Sequence, residues 1–413
     1  MKQIYIIGIG MGNTDTLTLG GLARIEGSKG LVGAERMIAP FDYVDAEKHA
    51  AISPARILEW IKEHEDLNPV SVLMSGDVGF FSGARKLAEL IEQDTEYEVE
   101  LAPGISSLQY FCGRLKTAWD DVKIVSLHGR DANFIGEIRT HEKTFLLTDS
   151  QKTPDYICAR LSEAGLGDVD VAVGETLSYT GERITRGTAA QLQGKSFDPL
   201  SVVLVRNPGA AADEDRPVTH GISDEAFIRG KVPMTKEEVR SVTLSKLRLR
   251  QGDVIYDVGA GTGSVSIEMA LQARKGQVFA IETKPEAVSL IRENKRVFGA
   301  DNLYIIEGMA PDAMKELPAP DKAFIGGSGG NMREIVTRLV EKNPQVRIVV
   351  NVIALESVGE ALETFSACGL SDMEIVQVSA AKAKELGGYH MMTGQNPVFV
   401  IAGQRKRDEQ CAR

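Results

Sequence analysis

The sequence predicts an α/β protein in two parts, each built on a largely parallel sheet covered by helices on both faces. Three observations predict it. Short β-branched runs recur along the whole chain, amphipathic helical patterns alternate with them, and glycines fall just after the runs instead of in linkers. At about 150 residues per domain, 413 residues imply two or three domains and exclude one small core.

In the first half the runs are IYIIGIG, VSVLMSGD, VKIVSLHG, TFLLTD, VDVAVGE and LSVVLVRN, with helices expected over Pro54 to Glu63 and Ser82 to Ile91. Leu115 to Asp121 separates two groups of these strands, so the first half is expected to have two lobes. Residues 207–231 lack apolar periodicity over their first dozen positions and read as a linker. Thr235 and Glu238 have capping-box spacing, so a helix is expected to start there, with Val239, Val242 and Leu247 along one face. Seven strands follow: DVIYDVG, QVFAIE, LYIIEG, KAFIGG, RIVVNVI, MEIVQV and NPVFVIAG. The domains expected are therefore 1–206 and 232–404, with a tail over 405–413.

Composition narrows the function. The net charge of −11 divides into −9 over residues 1–206 and −2 over the rest, so neither half carries the basic excess a nucleic-acid partner requires. Only Arg405 to Arg407 is locally basic, and it reads as a solvated tail. The four cysteines lie far apart with no zinc-ligand spacing, which predicts neither a metal site nor a disulfide framework. No apolar run approaches a membrane span, and the amino-terminal run is too short for a signal peptide. A soluble, cytoplasmic protein with no membrane partner is expected.

The strongest motif is VIYDVGAGTGSVSIEMA, a strand followed by Gly259, Ala260, Gly261, Thr262 and Gly263 and then a helix. Backbone without Cβ atoms can approach a ligand closely there. A dinucleotide fingerprint would place its third glycine where Ser264 stands. Glu282 ends the next strand 19 residues after Gly263, where a carboxylate can accept hydrogen bonds from a ribose diol. The ligand expected is an adenosine without a pyrophosphate, which fits S-adenosylmethionine.

The segments PMTKEEVR, DVGAGTGSVSIE, AIETKPEA, EGMAPDA, FIGGSGGN and VNVIALE resemble the decarboxylating precorrin methyltransferase domain of cobalamin biosynthesis, a Rossmann-like class I methyltransferase. That resemblance covers 232–403 and implies a cofactor site at Thr235, Gly259 to Gly263, Glu282 and the Met309–Ala310 turn. The family usually has GDAP where this chain has GMAP. In the first half GIGMG, SGDVGFFSGARKL, APGISSLQYFCGRL, VSLHGR, LLTD and VGETLSYTGERI together resemble the bilobal tetrapyrrole methylases. This second resemblance implies another S-adenosylmethionine site, at Gly8, Gly10, Gly76, Asp77, Ser106 and Ser107. The family commonly has GPG and GDPG where Met11 and Val78 stand here.

With both halves in this order the chain resembles the fused corrin-ring methyltransferases. That implies a bifunctional enzyme methylating C-5 through its first domain and C-15 through its second, with loss of the ring C acetate carboxyl. It also implies two cofactor sites per chain, a polycarboxylate tetrapyrrole substrate with or without cobalt, and a homodimer or tetramer. Candidate cations for the substrate carboxylates are Arg240, Arg333, Lys382 and Lys384, with His390 in a Gly- and Met-rich connection that could form a lid; His128 in LHGR is a weaker candidate. The competing readings are an RNA or protein methyltransferase fused to a regulatory ligand-binding domain and a nicotinamide-dependent oxidoreductase. The first is opposed by FIGGSGG at the fourth strand, the second by the GAGTG spacing.

Overall fold

The computed structural model describes residues 1–93, 96–129, 132–210 and 219–406. Part of the expected linker, 211–218, and the tail from 407 onward lie outside the described residues. The chain forms two compact units, Met1–Ala132 with Thr140–Ala210, and Asn133–Arg139 with Ala211–Arg413.

Unit 1 contains two five-stranded sheets. The first comprises β1 (Lys2–Gly8), β2 (Gly30–Gly33), β3 (Glu47–Ala50), β4 (Val70–Met74) and β5 (Tyr97–Ala102), all parallel in the order β3-β2-β4-β1-β5. Its central strands β1, β2 and β4 are buried on both faces, since successive side chains point to opposite sides and both sides are covered. Ile4 and Ile6 of β1 pack with Ile57, Trp60 and Leu87 from the helices Pro54–Glu63 and Ala84–Ile91, while Ile7 packs with Ile25 from the helix Leu19–Glu26.

The second sheet comprises β6 (Lys123–Ser126), β7 (Lys143–Leu147), β8 (Asp170–Glu175), β9 (Arg183–Thr188) and β10 (Ser201–Arg206) in the order β6-β7-β10-β8-β9. Only β6 and β7 are parallel; the other three pairings are antiparallel. Here the expectation of parallel sheets is corrected. The connection from β8 to β9 is only the turn between Glu175 and Arg183, too short for the helical crossover that a parallel pair requires.

Unit 2 holds a seven-stranded mixed sheet. Its strands are β11 (Val254–Val258), β12 (Gln277–Glu282), β13 (Leu303–Glu307), β14 (Lys322–Ile325), β15 (Arg347–Val352), β16 (Asp372–Val378) and, last in the chain, β19 (Val398–Gln404). The order is β13-β12-β11-β14-β15-β19-β16, with β19 antiparallel to both of its neighbours and the others parallel. The chain steps outward from β11 to β13 and then returns to β14 on the other side, which opens a crevice at the carboxyl ends of β11 and β14. Tyr256, Val258 and Ile325 face one core with Ile335 and Phe365, while Ile255 and Phe324 face the other with Leu244 and Ile267.

The Gly- and Met-rich connection before the last strand forms a hairpin of β17 (Ala381–Leu386) and β18 (Tyr389–Gly394) turning at Gly387–Gly388, both at positive φ. The expected helix start in unit 2 is corrected: Thr235 does not cap the following helix, which runs Glu237–Leu247 with Lys236 before it and no side-chain cap bond. The Thr235 carbonyl instead accepts from Arg240, whose side chain is 0% exposed.

Arg240 organises the entry to unit 2. Its Nε donates to Glu268 at 2.6 Å, one Nη donates to Asp224 at 3.1 Å, and the other to the Ile222 carbonyl. Glu268 also accepts from the amides of Gly221 and Ile222. Arg240 is thus an internal tie, and its expected role as a contact for substrate carboxylates is corrected: a guanidinium at 0% exposure, bound to two buried carboxylates and two carbonyls, cannot reach a ligand. Asp257, at 0% exposure, accepts from the Ser266 hydroxyl through Oδ2, while Oδ1 has no partner. Burial, with a smaller contribution from the Glu282 charge, pushes its carboxyl up to about 7.

Arg240→Ala strands two buried carboxylates and is expected to destabilise unit 2 by about 3–5 kcal/mol in denaturant unfolding followed by circular dichroism. Both tryptophans, Trp60 and Trp119, lie in unit 1, so fluorescence reports that unit separately and should show no shift. The folded state keeps the Asp257 proton that the unfolded chain sheds above its usual 3.8, so this group lowers stability as pH rises from about 4 to about 7. Asp257→Asn should therefore gain on the native protein by up to about 1.4 kcal/mol per pH unit across that window, and an unchanged pH dependence would refute a neutral Asp257.

Candidate functional site

In each unit a cavity is walled by glycine-bearing loops at the carboxyl ends of parallel strands. In unit 2 the cavity is about 620 Å³ and is lined by Thr235, Gly259, Ala260, Gly261, Thr262 and Glu282, all of them expected from sequence. Gly259 (φ +73°) follows β11, and a Cβ there would stand 2.6 Å from the Gly327 carbonyl oxygen, so the loops after β11 and β14 meet backbone to backbone. Across that contact, added Cβ atoms at Gly327 and Gly329 would meet nothing within 4 Å. Thr262 Oγ1 is buried without a partner.

Glu282 is already engaged. Its Oε2 accepts from the Gly261 amide at 2.8 Å, and Oε1 accepts from the amides of Thr283 (2.8 Å) and Lys284 (3.0 Å). A carboxylate offers about four lone-pair positions. Three are taken by amides and the fourth by the Thr283 hydroxyl at 3.4 Å, a long contact that a further donor can displace while the loop holds this arrangement.

The other predicted residues of unit 2 lie apart from this lining. Gly263 caps the helix Ser264–Gln272 and packs on Ile291. Met309 is 57% exposed, and the Ala310 carbonyl accepts from Asn331 at 3.2 Å; neither residue is in the cavity wall. Lys382 pairs with Glu238 at 3.0 Å, Arg333 is exposed at the start of the helix Met332–Lys342, and Lys384 and His390 are exposed on the β17–β18 hairpin. The cations that do line the cavity are Lys236 and Lys284, which were not singled out. Lys284 was legible, because it follows Glu282 by two positions in the quoted AIETKPEA segment.

In unit 1 the cavity is about 700 Å³ and lies between the two sheets. Gly76, Asp77 and Ser107 line it; Gly8, Gly10 and Ser106 form the layer behind. Gly10 and Gly76 exchange backbone hydrogen bonds at 3.1 and 2.6 Å. A Cβ on Gly104 would lie 2.3 Å from the Gly76 oxygen and 2.4 Å from the Gly8 oxygen, so three loops interlock at one point. Asp77 ties them: it accepts from Gly79 at 2.8 Å and from Gly104 at 3.1 Å. Ser106 is occupied by a complete capping box with Gln109 and is 4% exposed, so its side chain starts the helix Ser107–Leu115.

Sequence reading missed the far wall of this cavity. Leu177 and Tyr179 come from the β8–β9 turn, with the Tyr179 ring filling the space a Cβ on Gly12 would need. Glu182 holds that turn, accepting from Tyr110 Oη, Arg114 Nε and the Ser178 amide, each at 2.7 Å. Arg36, Phe80, Phe81, His128 and Asp149 also line the cavity. Amides of Lys152, Gly129 and Gln151 hold the Asp149 carboxyl down at about 2.

No helix among the described residues is long and apolar enough to cross a membrane. Residues 3–193 match the family described as tetrapyrrole (corrin/porphyrin) methylases, and residues 225–405 match the precorrin methyltransferase domain. A precorrin-6Y C(5,15)-methyltransferase (decarboxylating) from Sinorhizobium sp is 31% identical over 87% of this chain and 84% of its own length. A probable cobalt-precorrin-6B C(15)-methyltransferase (decarboxylating) from Pyrobaculum calidifontis is 46% identical over 44% of this chain and 95% of its own. The crystal structure of a precorrin-6Y C5,15-methyltransferase from Geobacter metallireducens is 39% identical over 46% of this chain and all of that chain, with a TM-score of 0.44. Matches to two methyltransferase domain families in one chain, with 31% identity over most of its length to the Sinorhizobium protein, place this protein in the precorrin-6Y C(5,15)-methyltransferase (decarboxylating) family.

Proposed function

We propose that the chain is a bifunctional S-adenosylmethionine-dependent C-methyltransferase of corrin-ring biosynthesis, with one cofactor site in each unit. In this reading unit 1 methylates C-5 of precorrin-6B or its cobalt counterpart. Unit 2 methylates C-15 and removes the ring C acetate carboxyl. The observation that carries it is the pair of cavities of about 700 and 620 Å³, each bounded by the glycine loops of a separately matched methyltransferase domain.

The residues present fit such a group. In unit 2 the open faces of Gly327 and Gly329 leave a cradle, Thr262 Oγ1 lacks a partner among the described residues, and Glu282 can exchange its long contact to the Thr283 hydroxyl for a ribose hydroxyl. In unit 1 a Cβ on Gly76 would meet only Ser106 Cα, at 4.0 Å, and one on Gly83 would meet nothing. S-adenosylmethionine would supply a methyl group activated by its sulfonium, and electron-rich ring carbons can take it without a metal. The chain's own work is alignment, which can supply on the order of 7–11 kcal/mol of a barrier.

Lys236 and Lys284 at the unit 2 cavity, and Arg36 at the unit 1 cavity, supply positive charge for substrate carboxylates. Lys284 has no ion-pair partner among the described residues, so it enters such a contact without first breaking another.

Calorimetric titration of S-adenosylmethionine into the full chain should show two sites. Glu282→Ala should weaken one of them by about tenfold or more and Asp77→Ala the other, because each removes a tie that shapes one loop set. A single site in the native chain, lost in Glu282→Ala and retained in Asp77→Ala, would withdraw the assignment of unit 1.

A further inference from the structure

We propose that His128 is the general base of the C-5 methylation; the proposal rests on the reading of unit 1 just given and names the group that completes its chemistry. His128 stands in the turn after β6, is exposed, and lines the unit 1 cavity. Its Nδ1 lies 3.3 Å from the Thr148 carbonyl oxygen. A carbonyl oxygen can only accept, so Nδ1 carries the hydrogen and the neutral ring keeps its lone pair on Nε2. The same turn is fixed from its other side, where the Gly129 amide donates to Asp149 Oδ2 at 3.0 Å. The ring is therefore held in one tautomer by backbone contacts to the end of β7, with its basic nitrogen on the edge turned away from them.

Among the described residues, the other charged and titratable groups sharing this cavity are Arg36 from the helix Glu35–Ile38, Asp77 from the loop after β4, Asp149 from the end of β7 and Tyr179 from the β8–β9 turn. Both Asp77 oxygens accept from loop amides, and three amides hold Asp149 as the anion. Each carboxylate is thus committed to shaping its loop. Among these groups His128 combines an uncommitted lone pair with a place in the wall.

Bond accounting explains why a base belongs in this unit and not in the other. In methylation at C-5 the π pair of the ring carbon forms the new C–C bond, and the methyl–sulfur bond breaks with its pair staying on sulfur. The macrocycle is left cationic, and conjugation returns only when the C–H pair is released, so a proton must go to a base. At C-15 the cation is quenched by the pair freed when the acetate C–C bond breaks and carbon dioxide leaves, with no proton removed in that step. The linings agree with this division, since the titratable groups in the unit 2 wall are Lys236, Glu282 and Lys284, with Glu282 bound by three amides.

The test uses the full chain and His128→Asn, whose side-chain amide can keep the Nδ1-type hydrogen bond to Thr148 but has no basic nitrogen. In the native protein, nitrogen-15 imidazole spectra, with His128 identified by the signal missing in the variant, should show Nδ1 protonated and Nε2 bare above the titration. With enzymatically prepared precorrin-6B, single-turnover C-5 methylation should fall by about 100-fold or more in the variant. The acid limb of the native pH–rate profile should vanish, S-adenosylmethionine affinity should hold, and product methylated at C-15 and decarboxylated should accumulate. The inference is overturned if His128 carries its hydrogen on Nε2, or if the variant keeps both the rate and the acid limb. A native chain that decarboxylates but never methylates C-5 would remove the reading of unit 1 itself, a result distinguishable from either of these.

Discussion

Both sites depend on backbone approaching backbone more closely than any side chain allows. At the carboxyl end of the first sheet, neighbouring backbone occupies the space of the absent Cβ atoms of Gly8 and Gly104, with the Gly76 and Gly8 oxygens 2.3 to 2.6 Å from where those atoms would stand. In unit 2 the Gly259 and Gly327 loops meet in the same way. Parallel strands explain why this happens at that end. Every strand delivers its loop to one edge, so loops from adjacent strands must cross there and one of them must be small. The surfaces left beside each crossing are concave and lined by amides, which suits a ligand that is part polar and part flat.

The loops are then locked by carboxylates acting on amides. Asp77 joins the second and third loops of unit 1, Asp149 gathers three amides at the end of β7, and Glu282 gathers three around the glycine loop of unit 2. An acidic chain can therefore serve an anionic substrate, because much of the negative charge at its cavities is already consumed in shaping them. In unit 2 the same economy runs deeper, where Arg240 neutralises Glu268 and Asp224 inside the protein and fixes residues 221–224 against the helices Glu237–Leu247 and Ser264–Gln272. Glu282 is the most exposed to competition: a ribose diol asks for two acceptor positions where all four are engaged, so the long Thr283 hydroxyl contact and the Gly261 amide have to yield as a ligand enters.

What was legible in the sequence follows from how strongly burial constrains each segment. The β-branched runs of β1, β4, β7, β8, β10, β11, β12, β14, β15 and β19 became central strands, whose two faces must both be apolar, while β6, β13 and β16 kept readable runs at sheet edges. β3 (EKHA) and β9 (RITRGT) are edge strands with exposed or half-buried side chains, and β2 has four residues bounded by glycines, so none of them presents that pattern. The glycine loops and Glu282 were legible because their spacing from the strand is fixed locally. The cations were not. Arg240 and Lys236 lie four residues apart at the start of one helix, and nothing local distinguishes the one that turns into the protein from the one that turns into the cavity. Likewise Tyr179 reaches its cavity only because the antiparallel β8–β9 turn folds over Gly12, a long-range consequence of sheet order.

The contrast between the two cavities has a chemical logic that depends on neither fold. Adding a methyl cation to a neutral ring obliges something positive to leave or a bond pair to be released. Loss of a carboxyl group releases that pair from within the substrate, so a wall of glycine, small polar and apolar residues with two lysines is sufficient, and it avoids a base that could take a proton from the wrong carbon. A methylation without such a loss needs an acceptor in the wall and a path for the proton to water. An imidazole held through one nitrogen by a backbone carbonyl, at an exposed turn, meets both requirements at once. The fusion thus joins two solutions to one problem of charge balance, and the lining of each cavity follows from which bond supplies the electrons.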